Sequence, residues 1–316
     1  MFRCSKLIQF SFLSVLLSLL SCSFTPVPDN NSLPENMTSG YLTSKSIAEA
    51  SGIAVSRKHP GLLWLNNDSG NSPVLFAVNT DGKELVRMTI NGTKNKDWED
   101  LAIFAYNQHT YILIADTGDN GASRSSYQLH FIREPELSDI ALPANISAEP
   151  EWSVTFRYND GSHDCEAVAV DIKHQQILLL SKREDIPVLY MLPFTPGSST
   201  TATAVKQGVI RPFPQPEKKH FRLIDLFGYT LQPTAMDIRS DGLGIAILTY
   251  GDAYYYPASE HDSWLSVLRQ KPEIIALPEL AQAEGIGFDA QSRNLFVVTE
   301  KLPAPLLRIN RYSGQP

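Results

Sequence analysis

Asp97-Trp98-Glu99-Asp100-Leu101-Ala102-Ile103, followed by Ile112-Leu113-Ile114-Ala115-Asp116-Thr117-Gly118-Asp119-Asn120, decides the reading of this chain. The first run is an acidic turn leading into a short apolar strand. The second is an apolar strand leading out into an acidic, glycine-containing turn. Paired as antiparallel neighbours, the two strands place the start of the first beside the end of the second. Glu99 and Asp100 then share one edge with Asp116, Asp119 and Asn120.

The same layout recurs. Further strand starts stand at Ser51-Gly52-Ile53-Ala54-Val55, Glu166-Ala167-Val168-Ala169-Val170, Thr234-Ala235-Met236-Asp237-Ile238 and Glu284-Gly285-Ile286-Gly287-Phe288. Each is a small or acidic pair followed by apolar residues, and a continuously apolar run comes next, such as Ile177-Leu178-Leu179-Leu180 or Leu295-Phe296-Val297-Val298. A repeat of this kind is one supersecondary unit stacked on its neighbours. Small side chains suit strands converging on a crowded axis, and apolar runs suit strands buried on both faces. The expectation is an all-β fold, a β-propeller of five blades, with six the alternative count. Thr38 to Thr43 is expected to close the ring as the outer strand of the last blade. Trp152 to Phe156 and Phe221 to Phe227 read as outer strands after long loops.

The N-terminus reads separately. Arg3 and Lys6 precede an apolar stretch from Leu7 to Leu20, too short to span a membrane comfortably. It ends Leu19-Leu20-Ser21-Cys22, which resembles the bacterial lipoprotein signal, in which the cysteine becomes the lipidated first residue. The expected organisation is a signal peptide over 1–21, lipidated Cys22 and a flexible tether over 22–37, and a single propeller over 38–316. By that resemblance the anchor is the cell envelope, with the outer membrane favoured by Ser23 and the domain facing the periplasm. Cys4 and Cys22 lie in this region, so Cys165 alone remains in the body and no internal disulfide is expected. The net charge of -7 becomes -9 once Arg3 and Lys6 are removed, which argues against nucleic acid as a partner.

All copies read together put the first-strand starts and second-strand ends on one acidic face. Hard cations such as Ca²⁺ take several oxygens from carboxylates, amides and carbonyls. Glu99, Glu166 and Glu284 are the leading metal ligands, with Asp100, Asp116, Asp119 and Asn120 beside them. The structural alternative has the acids accepting turn N–H groups, with Lys182 and Lys301 neutralising Glu166 and Glu284. His163, beside Asp164 and Glu166, is a candidate general base. No Gly-x-Ser-x-Gly elbow, zinc spacing, phosphate loop or dinucleotide fingerprint occurs.

Ser51 to Ala54, Asn67 to Gly70, Asp97 to Asp100, Gly118 to Asn120 and Asp164 to Ala167 resemble the hallmarks of a bacterial family of secreted propellers. That family is similar to the propellers called SdiA-regulated, and more distantly to calcium-dependent lactonase and paraoxonase propellers and esterase-like phytases. The lactonase resemblance implies a metal at the channel mouth on Glu99, Glu166 and Glu284. Thr234 and Ser51 depart from it, since no carboxylate stands there. Two functions follow as expectations: a binding propeller that holds a divalent cation and a small ligand or protein partner, or a metal-dependent hydrolase of a lactone, ester or phosphoester.

Overall fold

The computed structural model describes residues 33–198, 200–216 and 228–311. The leader, Cys22, the tether up to residue 32 and the strand expected over Phe221 to Phe227 lie outside them. The described chain is all-β apart from one short helix, α1 (Trp264–Leu268), which the sequence pattern does not announce. Among the described residues no helix is long and apolar enough to cross a membrane.

Five antiparallel units follow one another. The first is β2 (Ala50–Val55), β3 (Leu62–Asn67), β4 (Val74–Asn79) and β5 (Glu84–Ile90). The second is β6 (Trp98–Tyr106), β7 (His109–Asp116), β8 (Tyr127–Arg133) and β10 (Trp152–Tyr158), and the third is β11 (Cys165–Asp171), β12 (Gln176–Ser181), β13 (Val188–Pro193) and β14 (Ala202–Val209). The fourth is β15 (Pro233–Ile238), β16 (Gly244–Thr249), β17 (Ala253–Pro257) and β18 (Glu273–Ile275). The fifth is β19 (Ala283–Phe288), β20 (Asn294–Thr299) and β21 (Ala304–Asn310), completed by the N-terminal β1 (Met37–Leu42), which pairs antiparallel with β21.

Two pairings were not legible from the repeat. Strand β9 (Ala144–Ala148) adds to the first unit parallel to β5, and β14 runs parallel to β10, joining the second and third units into one eight-stranded sheet. The first arises because the long β8–β10 connection carries β9 back to the first unit, and the second because β14, the outer strand of the third unit, also meets the outer strand of the second.

The first strand of every unit faces the centre. β2 packs beside β6, β6 beside β11, β11 beside β15, β15 beside β19, and β19 beside β2. The architecture is therefore propeller-like. The close approach explains the small residues: a Cβ on Gly285 would stand 2.9 Å from the backbone nitrogen of Ile53 on the adjacent inner strand. Burial between units supplies the cohesion. Trp64 packs with Trp98 and Ile112 between the first and second units, and Leu180 packs with Ile247 between the third and fourth. Leu65 packs with Leu306 between the first and fifth. Each fully buried side chain of this size contributes about 1.5–3 kcal/mol.

One local device is shared by all five inner strands. Each slips register at its start, between Ala50 and Ile53, Trp98 and Leu101, Cys165 and Ala167, Pro233 and Ala235, and Ala283 and Gly285. The extra residue of a bulge leaves the ladder and its side chain is re-aimed. The bulges fall on the small or acidic pairs of the repeat, at Ser51, Glu99, Glu166, Thr234 and Glu284.

Candidate metal centre

The five bulges assemble the site. They turn three carboxylates, from Glu99, Glu166 and Glu284, and two hydroxyls, from Ser51 and Thr234, toward one end of the inner ring. All five residues are buried. Ser51 Oγ donates to Glu99 Oε2 at 3.2 Å, whereas Thr234 Oγ1 donates to the Ala283 carbonyl at 2.8 Å and so faces its own framework.

Turns between units bring further acids. Asn95 donates through Nδ2 to the carbonyls of Asn67 (2.9 Å) and Asp68 (2.8 Å) and accepts from Trp98 N–H (3.0 Å). It thereby ties the end of β3 to the start of β6 and sets Asp68 beside Asp97. Two carboxylate groups result, Asp68 with Asp97 and Glu99, and Glu99 with Asp164 and Glu166. Within each, one oxygen per residue lies within 4.8 Å of the others. Two ligands on opposite sides of a Ca²⁺ at about 2.4 Å stand about 4.8 Å apart, so this spacing suits a calcium-sized cation. The donors are all oxygen, without cysteine or histidine, which selects a hard cation. Gly118 leaves the room: a Cβ there would overlap Glu99 Oε1 and stand 2.6 Å from Asp97 Cγ.

The electrostatics agree. Two like charges 4 Å apart repel by about 4 kcal/mol at an effective dielectric of 20. Burial, followed by the charges of Asp68 and Asp164, pushes Asp97 up to about 6. Burial, followed by Glu166, Asp68 and Asp97, holds Glu99 well above the ordinary carboxylate range. Burial raises Glu284 to about 8, although Lys182 pulls it down, and raises Glu300 to about 7 with Asp68 adding to it. Carboxylates in such a field hold protons or share a cation.

Not every acid expected at this face is free to join. Asp100 is fully buried and spends both oxygens on backbone, taking Leu101 N–H on Oδ1 (2.9 Å) and Val168 and Met236 N–H on Oδ2 (3.0 and 3.1 Å). Asp116 pairs with Arg124 at 2.7 Å. Asp119 accepts from Ser123 and Arg124 N–H (2.9 and 2.8 Å) and from the Tyr127 hydroxyl (2.8 Å), which fixes its own turn. Asn120 accepts from Arg183. His163 sits with Nδ1 on Glu184 (2.8 Å) and Nε2 near Asp160 (2.9 Å) and Tyr190 (2.8 Å), so both ring nitrogens are engaged away from the carboxylate groups. Asp68, which the repeat places on this face as a second-strand end without marking it as a leading ligand, and Asp97, which it leaves out, stand where those residues were expected. The signal for them was their place in the Asn-Asp-Ser-Gly and Asp-Trp-Glu-Asp turns.

No protein-family profile matches the chain, and no curated protein matches it. Solved structures do. A gluconolactonase from Xanthomonas campestris aligns over 83% of this chain and 72% of its own, at 11% identity and a TM-score of 0.44. An aldose sugar dehydrogenase from Streptomyces coelicolor, in its PQQ-bound form, aligns over 87% of this chain and 99% of its own, at 10% identity and a TM-score of 0.45. A protein from Bacteroides uniformis described as a 6-phosphogluconolactonase aligns over 88% and 71%, at 11% identity and a TM-score of 0.40. Similarity this distant says nothing of this chain's activity.

Proposed function

We propose that the chain is a five-bladed β-propeller of the bacterial cell envelope, lipidated at Cys22 and facing the periplasm from the outer membrane. Its acidic mouth binds a divalent cation, Ca²⁺ by donor chemistry, and through it a small ligand or a protein partner. The resemblance to secreted bacterial propellers supports the envelope reading. The observation that carries the cation reading is the meeting of two three-carboxylate groups at buried Glu99.

Thermal unfolding of the purified protein in EDTA, then with Ca²⁺ or Mg²⁺ added back, tests it. A ligand at a hundred times its Kd adds about 2.7 kcal/mol of stability, so a saturable rise in Tm is expected with Ca²⁺. The absence of a rise, in protein shown metal-free by elemental analysis, would sink the reading. Gly118→Ala is expected to abolish the Ca²⁺ response, because the added methyl takes the space between Asp97 and Glu99. An unchanged response would argue that the cation binds elsewhere.

A second reading is a metal-dependent hydrolase of a lactone, ester or phosphoester. What favours it is Glu284, a carboxyl raised to about 8 and placed at the mouth, which at neutral pH carries the proton a leaving group needs. The cation would supply polarisation of the carbonyl or phosphoryl oxygen. Turnover in a panel of such substrates is expected to fall in Glu284→Gln while the Ca²⁺ response stays. A flat panel with Ca²⁺ bound removes this reading.

A further inference from the structure

The two carboxylate groups differ in what already sits on them. In the Glu99, Asp164 and Glu166 group, Lys182 Nζ lies on Glu166 Oε2, and Arg183 Nε donates to Asp164 Oδ2 at 2.6 Å. Asp164 Oδ1 also accepts from Asp119 N–H at 2.8 Å. In the Asp68, Asp97 and Glu99 group, no lysine, arginine or histidine among the described residues forms an ion pair with any member. Glu99, only 5% exposed, gives Oε2 to Ser51, and its Oε1 has no hydrogen-bond partner among the described residues. That oxygen faces the gap at Gly118.

Lys182 is not a surface neutraliser. Its side chain is 3% exposed, and the ammonium also meets the Tyr250 hydroxyl at 2.8 Å, lying 4.8 Å from that ring's centroid. Its backbone N–H donates to the Asp164 carbonyl at 3.0 Å, which fixes the root of the side chain inside the mouth. Burial pushes this ammonium down, but Glu166 foremost, then Tyr250 and Glu284, hold it well above its ordinary value. An ammonium is a compact point charge, and oxygen in contact with it is not open to a metal ion without displacing it.

We infer that the mouth takes one divalent cation, held by Asp68, Asp97 and Glu99, and that the Lys182 ammonium fills the adjoining group in place of a second. This rests on the cation-binding reading above. Glu99 belongs to both groups, so it is the side chain through which the bound ion and the tethered ammonium sense each other. Lys182 thereby sets the stoichiometry of the site.

The test is direct Ca²⁺ binding to metal-stripped protein, by calorimetry and by equilibrium dialysis. Wild type is expected to bind one Ca²⁺ per chain. Asp97→Asn is expected to weaken that binding more than 100-fold. Lys182→Met is expected to bind a second Ca²⁺, and Lys182→Arg only one. Lys182→Gln, which keeps hydrogen-bonding capacity without charge, carries the same expectation should the methionine variant not fold. One Ca²⁺ at unchanged affinity in the uncharged Lys182 variants overturns the inference. So does binding that survives Asp97→Asn but is lost in Asp164→Asn. Wild type binding no cation would instead fail the parent reading. In that case a cation gained by Lys182→Met still upholds the role of Lys182, and none gained overturns it.

Discussion

In EDTA, the folded chain is expected to lose stability as the pH rises from about 5 to about 9, and saturating Ca²⁺ is expected to remove the part of that loss that comes from the acids holding it. Glu166, which burial lifts to about 8, is one source, and Glu284 is another. Burial lifts it from 4.5 to about 8, and its neighbour Glu300 from 4.5 to about 7. A carboxyl whose folded-state value is raised binds its proton more tightly folded than unfolded. Its contribution is therefore fully present below about 4.5 and is lost as pH climbs through the folded value. Asp97, raised from 3.8 to about 6, adds a loss at the lower end of the window. At about 1.4 kcal/mol per unit, and with the repulsion shared among neighbours, the whole effect is on the order of 5 kcal/mol. This is opposite in sign to ordinary acid denaturation, where paired carboxylates lose stability as pH falls. A bound cation favours the ionised forms of the acids that hold it, so it flattens that part of the slope. Urea midpoints at pH 5, 7 and 9, at constant m, measure it. A midpoint in EDTA that climbs with pH would show that these acids are already neutralised. Glu284→Gln is expected to remove its own part of the slope.

Much of this arrangement was legible in the sequence because two periodicities coincide. The apolar alternation marks the strands, and the small or acidic pair marks the bulge at the head of each inner strand. Glu99, Glu166 and Glu284 follow from that pattern, since equivalent bulges aim equivalent side chains. Asp100 shows where the pattern stops. It is adjacent to Glu99 in the same acidic turn, yet its partners Val168 and Met236 belong to β11 and β15. Those contacts exist only once the ring has closed. The meeting of Asp68, a second-strand end on the expected face, with Asp97 was hidden for the opposite reason. The two lie in turns and come together through the side chains of Asn95 and Asn66, which tie the end of β3 to the start of β6. Asp116 and Asp119 look like ligands in a lone loop, but Arg124, a few residues on, takes up the first and Ser123 and Tyr127 help to fix the second. The parallel pairings of β9 and β14 escaped because one depends on where the long β8–β10 connection lands and the other on two outer strands of different units meeting.

Two neighbouring acids should respond in opposite directions to loss of charge. Asp100→Ala is expected to destabilise the chain severely. It removes the acceptor of three buried N–H groups, those of Leu101, Val168 and Met236, on three inner strands. A buried donor left without a partner costs about 1–3 kcal/mol, so the three together cost on the order of 5 kcal/mol. That is comparable to the whole stability of many domains, about 5–15 kcal/mol. Asp100→Asn is expected to cost less but still measurably. An amide offers one acceptor oxygen, and either Leu101 or the Val168 and Met236 pair must then face an NH₂ group. Glu99→Gln is the contrast. Glu99 Oε2 takes one hydroxyl, and burial followed by Glu166, Asp68 and Asp97 opposes its ionisation, so an amide that never ionises is expected to raise the urea midpoint in EDTA at alkaline pH. The same variant is expected to lose the Ca²⁺ response that wild type shows. An Asp100→Ala chain that unfolds at the wild-type midpoint would contradict the structural role of that carboxylate. A Glu99→Gln chain that is less stable in EDTA at alkaline pH would mean that its charge is already compensated. The sign of each change thus separates the acid that holds the ring together from the acid one residue away that leaves it open to a cation.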